Sequence, residues 1–308
     1  MNSRTWILRT VLAIALILCA NFATACLLDP YGLFQNPRGR QLRVVFAPRK
    51  AKFLLSRRYV PTNYDGLLIG PSSSENWDPA SISGVKIYNE SVLGSNISEE
   101  KRIVDQATPT GHFKLAICIL YPTMTTNHRM NDGLDSVTSL EALGSIHLLV
   151  HEAEQVLSAL HIPFGRQSAP NGATPLRQVS PNANIGRPAP NALQLGPDYF
   201  QIDPVAILDY RQLLQDLSSR GVRILYVIPP LYQPCQTANL QQLVSYKESI
   251  RKLLPQAPVI DLDAPDFSSF RSDPSNYLDC FHLSAVGASR VDSYLAQKVP
   301  AVLAEHVQ

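Results

Sequence analysis

The chain has 308 residues, 45% of them apolar and 17% charged, with a formal net charge of +2. That is enough apolar surface for one medium-sized globular domain with extensions, and it excludes an intrinsically disordered chain. It also argues against a nucleic-acid partner, because no basic stripe interleaved with aromatic residues recurs along the sequence.

The first predicted element is apolar. Val11 to Leu28 runs almost unbroken behind Arg4 and Arg9, at the lower edge of the length a membrane-spanning helix needs. Ala23-Thr24-Ala25 resembles a small-residue cleavage site and Cys26 follows it, so a cleaved, a lipidated and an uncleaved segment all remain open. Each of the three exports the remainder, which is expected to be membrane-anchored or secreted, outside the cytoplasmic membrane and periplasmic in a Gram-negative cell. Residues 1–28 are therefore read as a signal-anchor or signal peptide and residues 29–308 as a single α/β domain. From Arg38 to Arg58 eight basic residues occur without an acidic one, which reads as a solvated face close to the membrane.

Short apolar runs then alternate with helical patterns, the signature of a mostly parallel sheet covered by helices. The expected strands are Gly66 to Ile69, Val85 to Tyr88, Phe113 to Leu120, Val222 to Ile228 and Val259 to Leu262. Asn96 with Glu99 has capping-box spacing, and Thr138 with Glu141 opens an amphipathic stretch to about His161. Asp203-Pro204 starts a further helix that Gly221 stops. Between them, about 163–198, lies a proline- and asparagine-rich segment without a period, expected to be disordered or a lid.

Of the five cysteines, Cys235 and Cys280 fall in the soluble body away from apolar runs, where a disulfide and two free thiols are both compatible with the spacing. His147 and His151, one helical turn apart, read as ordinary helix surface.

Two short strings carry chemistry. Gly70-Pro71-Ser72 turns directly behind an apolar run, and Asp279-Cys280-Phe281-His282 precedes the capped start of the last helix. A serine hydroxyl needs an imidazole to take its proton and a carboxylate to orient that imidazole. In an open parallel sheet such residues gather where strands end. Gly94 follows the second strand, where a glycine lets a backbone N–H approach a developing oxyanion. Tyr121, Thr123, Thr126 and Asn127 follow the third strand and offer polar contacts. Weighed against catalysis are a capping role for Ser72, an anion-holding turn at Gly70 to Ser74, and a metal site at Asp279, Cys280 and His282 that no second ligand cluster completes.

These blocks resemble the SGNH, or GDSL-like, hydrolase superfamily. Gly70-Pro71-Ser72 matches its first block, Gly94 the glycine of its second, and Asp279-x-x-His282 its last. The usual third block, Gly-x-Asn, is not matched by Tyr121-Pro122-Thr123. With the apolar N-terminus running into Asp29-Pro30-Tyr31-Gly32, and with Asp78-Pro79 and Tyr88-Asn89, the chain looks like membrane-anchored SGNH-like proteins linked to exopolysaccharide or cell-envelope modification. The resemblance implies a three-layer α/β/α sandwich of flavodoxin-like type and a triad of Ser72, His282 and Asp279. Its oxyanion hole would use Ser72, Gly94 and Asn127. No metal and no cofactor are implied; the implied partners are an acylated glycan or small ester and an acyl donor in the membrane. The expected function is an exported esterase or O-acyltransferase, and its rival is a noncatalytic envelope protein that keeps the fold to bind glycan or to assemble.

Overall fold

The computed structural model describes residues 3–44, 47–130, 134, 141–162, 167–175 and 193–304. Helix α1 (Ser3–Leu28) stands first, followed by α2 (Pro48–Leu55) and α3 (Tyr59–Asn63). The body continues through β1 (Gly66–Ile69), β2 (Ile87–Asn89), α4 (Ile97–Ala107), β3 (Leu115–Ile119) and α5 (Pro122–Thr125). Next come α6 (Glu141–Gly144), α7 (Ile146–Ala159), α8 (Pro204–Ser219), β4 (Arg223–Ile228), α9 (Gln233–Ala238) and α10 (Leu240–Leu253). It closes with β5 (Val259–Asp261), α11 (Ser268–Ser272) and α12 (Ala285–Ala304).

The five strands form one all-parallel sheet in the order β2-β1-β3-β4-β5. This is the flavodoxin-like order, whose switch point lies between β1 and β3. Every residue of β1, β2 and β3 is buried, as strands covered on both faces must be. Helices α4, α8 and α10 lie in the β2–β3, β3–β4 and β4–β5 connections, and α4 packs against α8. Helix α12 packs against the β1–β2 connection. The chain is thus an α/β protein with a helix-flanked parallel sheet and a preceding apolar helix, as its pattern predicts.

Local signals account for the ends of the elements. The Asn96–Glu99 capping box opens α4 with both reciprocal hydrogen bonds. Asp203 caps α8, and Gly221, at φ +78°, lies just past its end. Ser284 Oγ accepts from Gly287 N at the start of α12. The outer strands are shorter than expected: β2 starts two residues later and ends at Asn89, and β5 stops one residue earlier, at Asp261.

Three expectations need correction. The stretch to His161 is two helices, broken at Ser145, whose side chain caps α7; Thr138 lies outside the described residues. Within 163–198, residues 167–175 form an ordered turn against the core, with Gly172 O accepting from Lys52 Nζ and Thr174 N donating to Glu75 O. Pro197–Phe200 is a 3-10 turn. The basic run is a solvated face only in part: Arg38, Arg43 and Arg58 are exposed, whereas Lys52 is fully buried, Arg49 pairs with Glu99, and Arg40 pairs with Asp29.

Candidate active site

Gly70 follows β1 with almost no free space around it. A Cβ there would lie 2.4 Å from Ser74 Oγ and 2.6 Å from Ile119 Cγ1, so any side chain would push the turn off β3. Pro71 continues the pairing with β2 as a bridge to Val92, and Val92 N donates to Gly70 O. The chain then tightens into a single 3-10 turn, Ser72–Ser74. That turn is too short to offer an α-helical anion site, and Ser72 caps nothing. Its hydroxyl points instead to His282, with Ser72 Oγ 2.8 Å from Nε2.

His282 arrives on a closed loop from the far end of the chain. Tyr277 bridges Leu283 in antiparallel sense, and Leu278 N donates to His282 O. Asp279 Oδ1 accepts from the backbone N–H groups of Phe281 and His282, and Oδ2 lies 2.6 Å from His282 Nδ1. Burial works to raise the Asp279 carboxyl, but the His282 ring and the two backbone donors outweigh it and hold the group below the usual carboxylate range. It therefore stays an anion at neutral pH, the state that fixes a proton on Nδ1 and leaves Nε2 to accept one.

Two asparagines staple these pieces together. Asn89 is fully buried; its Nδ2 donates to Ser74 O and Trp77 O, and its Oδ1 accepts from Ser91 N. Asn76 Nδ2 donates to Leu283 O, tying the serine turn to the histidine loop across 207 residues of sequence. Beneath them Lys52 Nζ donates to the carbonyls of Asn89, Ser91 and Gly172. Opposite, Cys235 and Cys280 form a disulfide, and Tyr232 N donates to Cys280 O. Cys235 sits in α9 rather than in a loop, and the bond removes Cys280 from any metal site.

The remaining sequence candidates fall differently. Gly94 adopts φ +67°, which favours glycine, and the backbone N–H groups of Ser72 and Gly94 have no acceptor among the described residues. Asn127 is not joined to the triad by any hydrogen bond. Its Oδ1 accepts from Asn96 Nδ2 and Arg129 N, which holds it against the α4 cap. Tyr121 is buried and its hydroxyl accepts from Tyr199, with no hydrogen bond to the triad among the described residues. His151 is buried against Tyr31 and Glu154 rather than on a helix surface.

Sequence reasoning passed over three features. Asn76 and Asn89 act through folded contacts no short string reveals. A second imidazole–carboxylate pair, His128 Nδ1 to Asp203 Oδ2 at 2.6 Å, pins the segment after α5 to α8. Phe281, Tyr121 and Tyr199 form an aromatic wall beside the His282 ring, whose centroid is 4.4 Å from that of Phe281.

No protein-family model matches the chain, and no curated protein matches it in sequence. A solved structure from Streptococcus pneumonia, assigned provisionally as a platelet activating factor, is similar at 12% identity and a TM-score of 0.44. The match covers 82% of this chain and 90% of that one.

Proposed function

We propose that this protein is an exported, membrane-tethered serine esterase or O-acyltransferase of the SGNH-like type, acting on an ester of a cell-envelope or exopolysaccharide glycan. The observation that carries the reading is the continuous hydrogen-bonded chain from Ser72 Oγ through His282 to Asp279, at the carboxyl edge of the sheet. Ser72 Oγ attacks the ester carbonyl while its proton passes to His282 Nε2, and Asp279 stabilises the imidazolium. The free N–H groups of Ser72 and Gly94 receive the oxyanion, each donor supplying roughly 3 to 4 kcal/mol of transition-state stabilisation. The imidazolium returns its proton to the leaving alcohol, and the acyl group stays on Ser72. Water or a sugar hydroxyl, deprotonated by His282, then takes that acyl group and regenerates the serine.

Turnover of acetylated saccharides and p-nitrophenyl acetate tests the assignment. Ser72→Ala removes turnover, and Asp279→Asn lowers it by about 10⁴-fold by leaving the wrong tautomer. Turnover unchanged in both folded variants overturns the reading. The engagement of Asn127 by Asn96 favours a second reading, a noncatalytic glycan-binding module. Glycan binding that survives Ser72→Ala, in a chain without turnover, supports that alternative.

A further inference from the structure

Helix α7 is inside out. Its exposed residues include Ile146, Leu149, Ala153 and Val156, and Leu160 follows just past its end. The spacing of 3, 4, 3 and 4 puts all five on one stripe, with Val150 and Leu157, both partly buried, along its margin. At about 100° per residue the apolar arc spans roughly 120°. The opposite face turns Leu148, His151, Glu152 and Glu154 inward. An ordinary surface helix has the reverse arrangement, because apolar area exposed to water is costly. Ile146 is 73% and Leu149 51% exposed, so the surroundings this helix is built for are not water.

Its position identifies those surroundings. Helix α1 is buried only at Ala25, near its last turn, while the large apolar side chains from Trp6 to Leu18 are all exposed. The last turns of α1 meet α6 and α7: a Cβ on Gly144 would lie 3.6 Å from Asn21 Oδ1, and Tyr31 stacks edge-on against His151. With 26 residues α1 is about 39 Å long, more than the roughly 30 Å of a bilayer core. When the exposed part of α1 spans that core, α7 lies at the level where the chain leaves it. Phe22, Leu27 and Phe34, all exposed around this exit, continue the apolar surface. Arg43 shares a cleft of about 530 Å³ with the polar side of α7, and exposed Arg38 is close by in sequence. Cations at that level suit anionic headgroups.

We infer that α7 is an interfacial membrane helix, its apolar stripe sunk among the lipids beside the exit of α1, so that the body is held against the bilayer by two contacts. The inference rests on α1 as a membrane span and adds a surface to it. A tether alone leaves the body free to tumble. A second contact in the interface fixes which side of it faces the membrane.

Nitroxide accessibility in the full chain tests this. The Cys19→Ser, Cys26→Ser protein is reconstituted in phosphatidylethanolamine–phosphatidylglycerol vesicles, with a spin label attached through Leu149→Cys, Val156→Cys, Ile14→Cys or Gln242→Cys. Gln242, exposed on α10, is the water reference and Ile14 reports on α1. The expected result is an oxygen-to-nickel-chelate collision ratio several-fold higher at Leu149 and Val156 than at Gln242, and highest at Ile14. A ratio at Leu149 and Val156 equal to that at Gln242, with Ile14 still in lipid, overturns the inference and leaves the anchor intact. Protection of both sites from both reagents also overturns it, by assigning the stripe to a protein contact. A nickel-accessible Ile14 removes the anchor and the inference with it.

Discussion

The serine side and the histidine side of the candidate site are held by different means. Ser72 and Gly94 sit on turns knitted by buried polar groups: Lys52 on three carbonyls, Asn89 on three backbone atoms of its own reach, and Ser74 Oγ 2.8 Å from Ser91 Oγ. His282 sits on a small half-buried loop closed by its own hydrogen bonds, by single bonds from Asn76 and Tyr232, and by one covalent bond to α9. Buried polar networks give a precise turn only while every member is satisfied, whereas a disulfide constrains a loop that has little core of its own. Loss on the serine side therefore spreads through the fold, and loss on the histidine side stays local.

Breaking each side separately sharpens the contrast. The largest effect belongs to Lys52→Met, which takes the ammonium away from three buried carbonyls; a loss of about 3 to 5 kcal/mol in urea unfolding is expected, enough to leave much of the chain unfolded. Asn89→Ala comes next at about 3 kcal/mol, read the same way, with the serine turn released from Trp77 and Ser91. The paired change Cys235→Ser, Cys280→Ser removes roughly 2 to 4 kcal/mol, and ester turnover falls further than the melting temperature implies because the carrier of His282 is loosened. Asn76→Ala, which cuts one partly buried bond between the two sides, costs about 1 kcal/mol and lowers kcat with a folded body.

A pH slope also belongs to the serine side. Burial pushes Glu90 up to about 7, against the pull of Lys52 and a hydrogen bond from Ser56. Between pH 4.5 and 7 the folded chain keeps a proton there that the unfolded chain has released, so stability falls as pH rises across this window and levels off above it. Asp292, also raised to about 7 by burial, adds to the slope. Glu90→Gln flattens the part due to Glu90 in thermal melts taken across that range, and an unchanged slope contradicts the assignment. Asp279 acts in the opposite sense: its depressed carboxyl contributes stability above its unfolded pKa that is lost as pH falls through the lower folded value.

Much of this was legible because the decisive signals are local. Strand β1 is an unbroken apolar run, Asn96 and Glu99 carry their cap in four residues, and Asp279 reaches His282 within one loop. What was hidden depends on distance or on a misleading neighbourhood. Lys52 lies in a run of cations that reads as surface, yet its ammonium is the centre of a buried network. The stripe of α7 has helical period but no label of direction, so a pattern alone assigns its apolar side inward. Asn127 carries the right residue type in the right loop, and only the folded contacts reveal that Asn96 holds it.

The claim on which the account turns is that His282 activates Ser72. Labelling the full chain with a fluorophosphonate and mapping the adduct by peptide mass spectrometry tests it directly. The expected result is one adduct, on Ser72, formed at a rate that collapses in His282→Ala while the fold is retained. An adduct on another serine, or labelling of Ser72 at the same rate in His282→Ala, contradicts it.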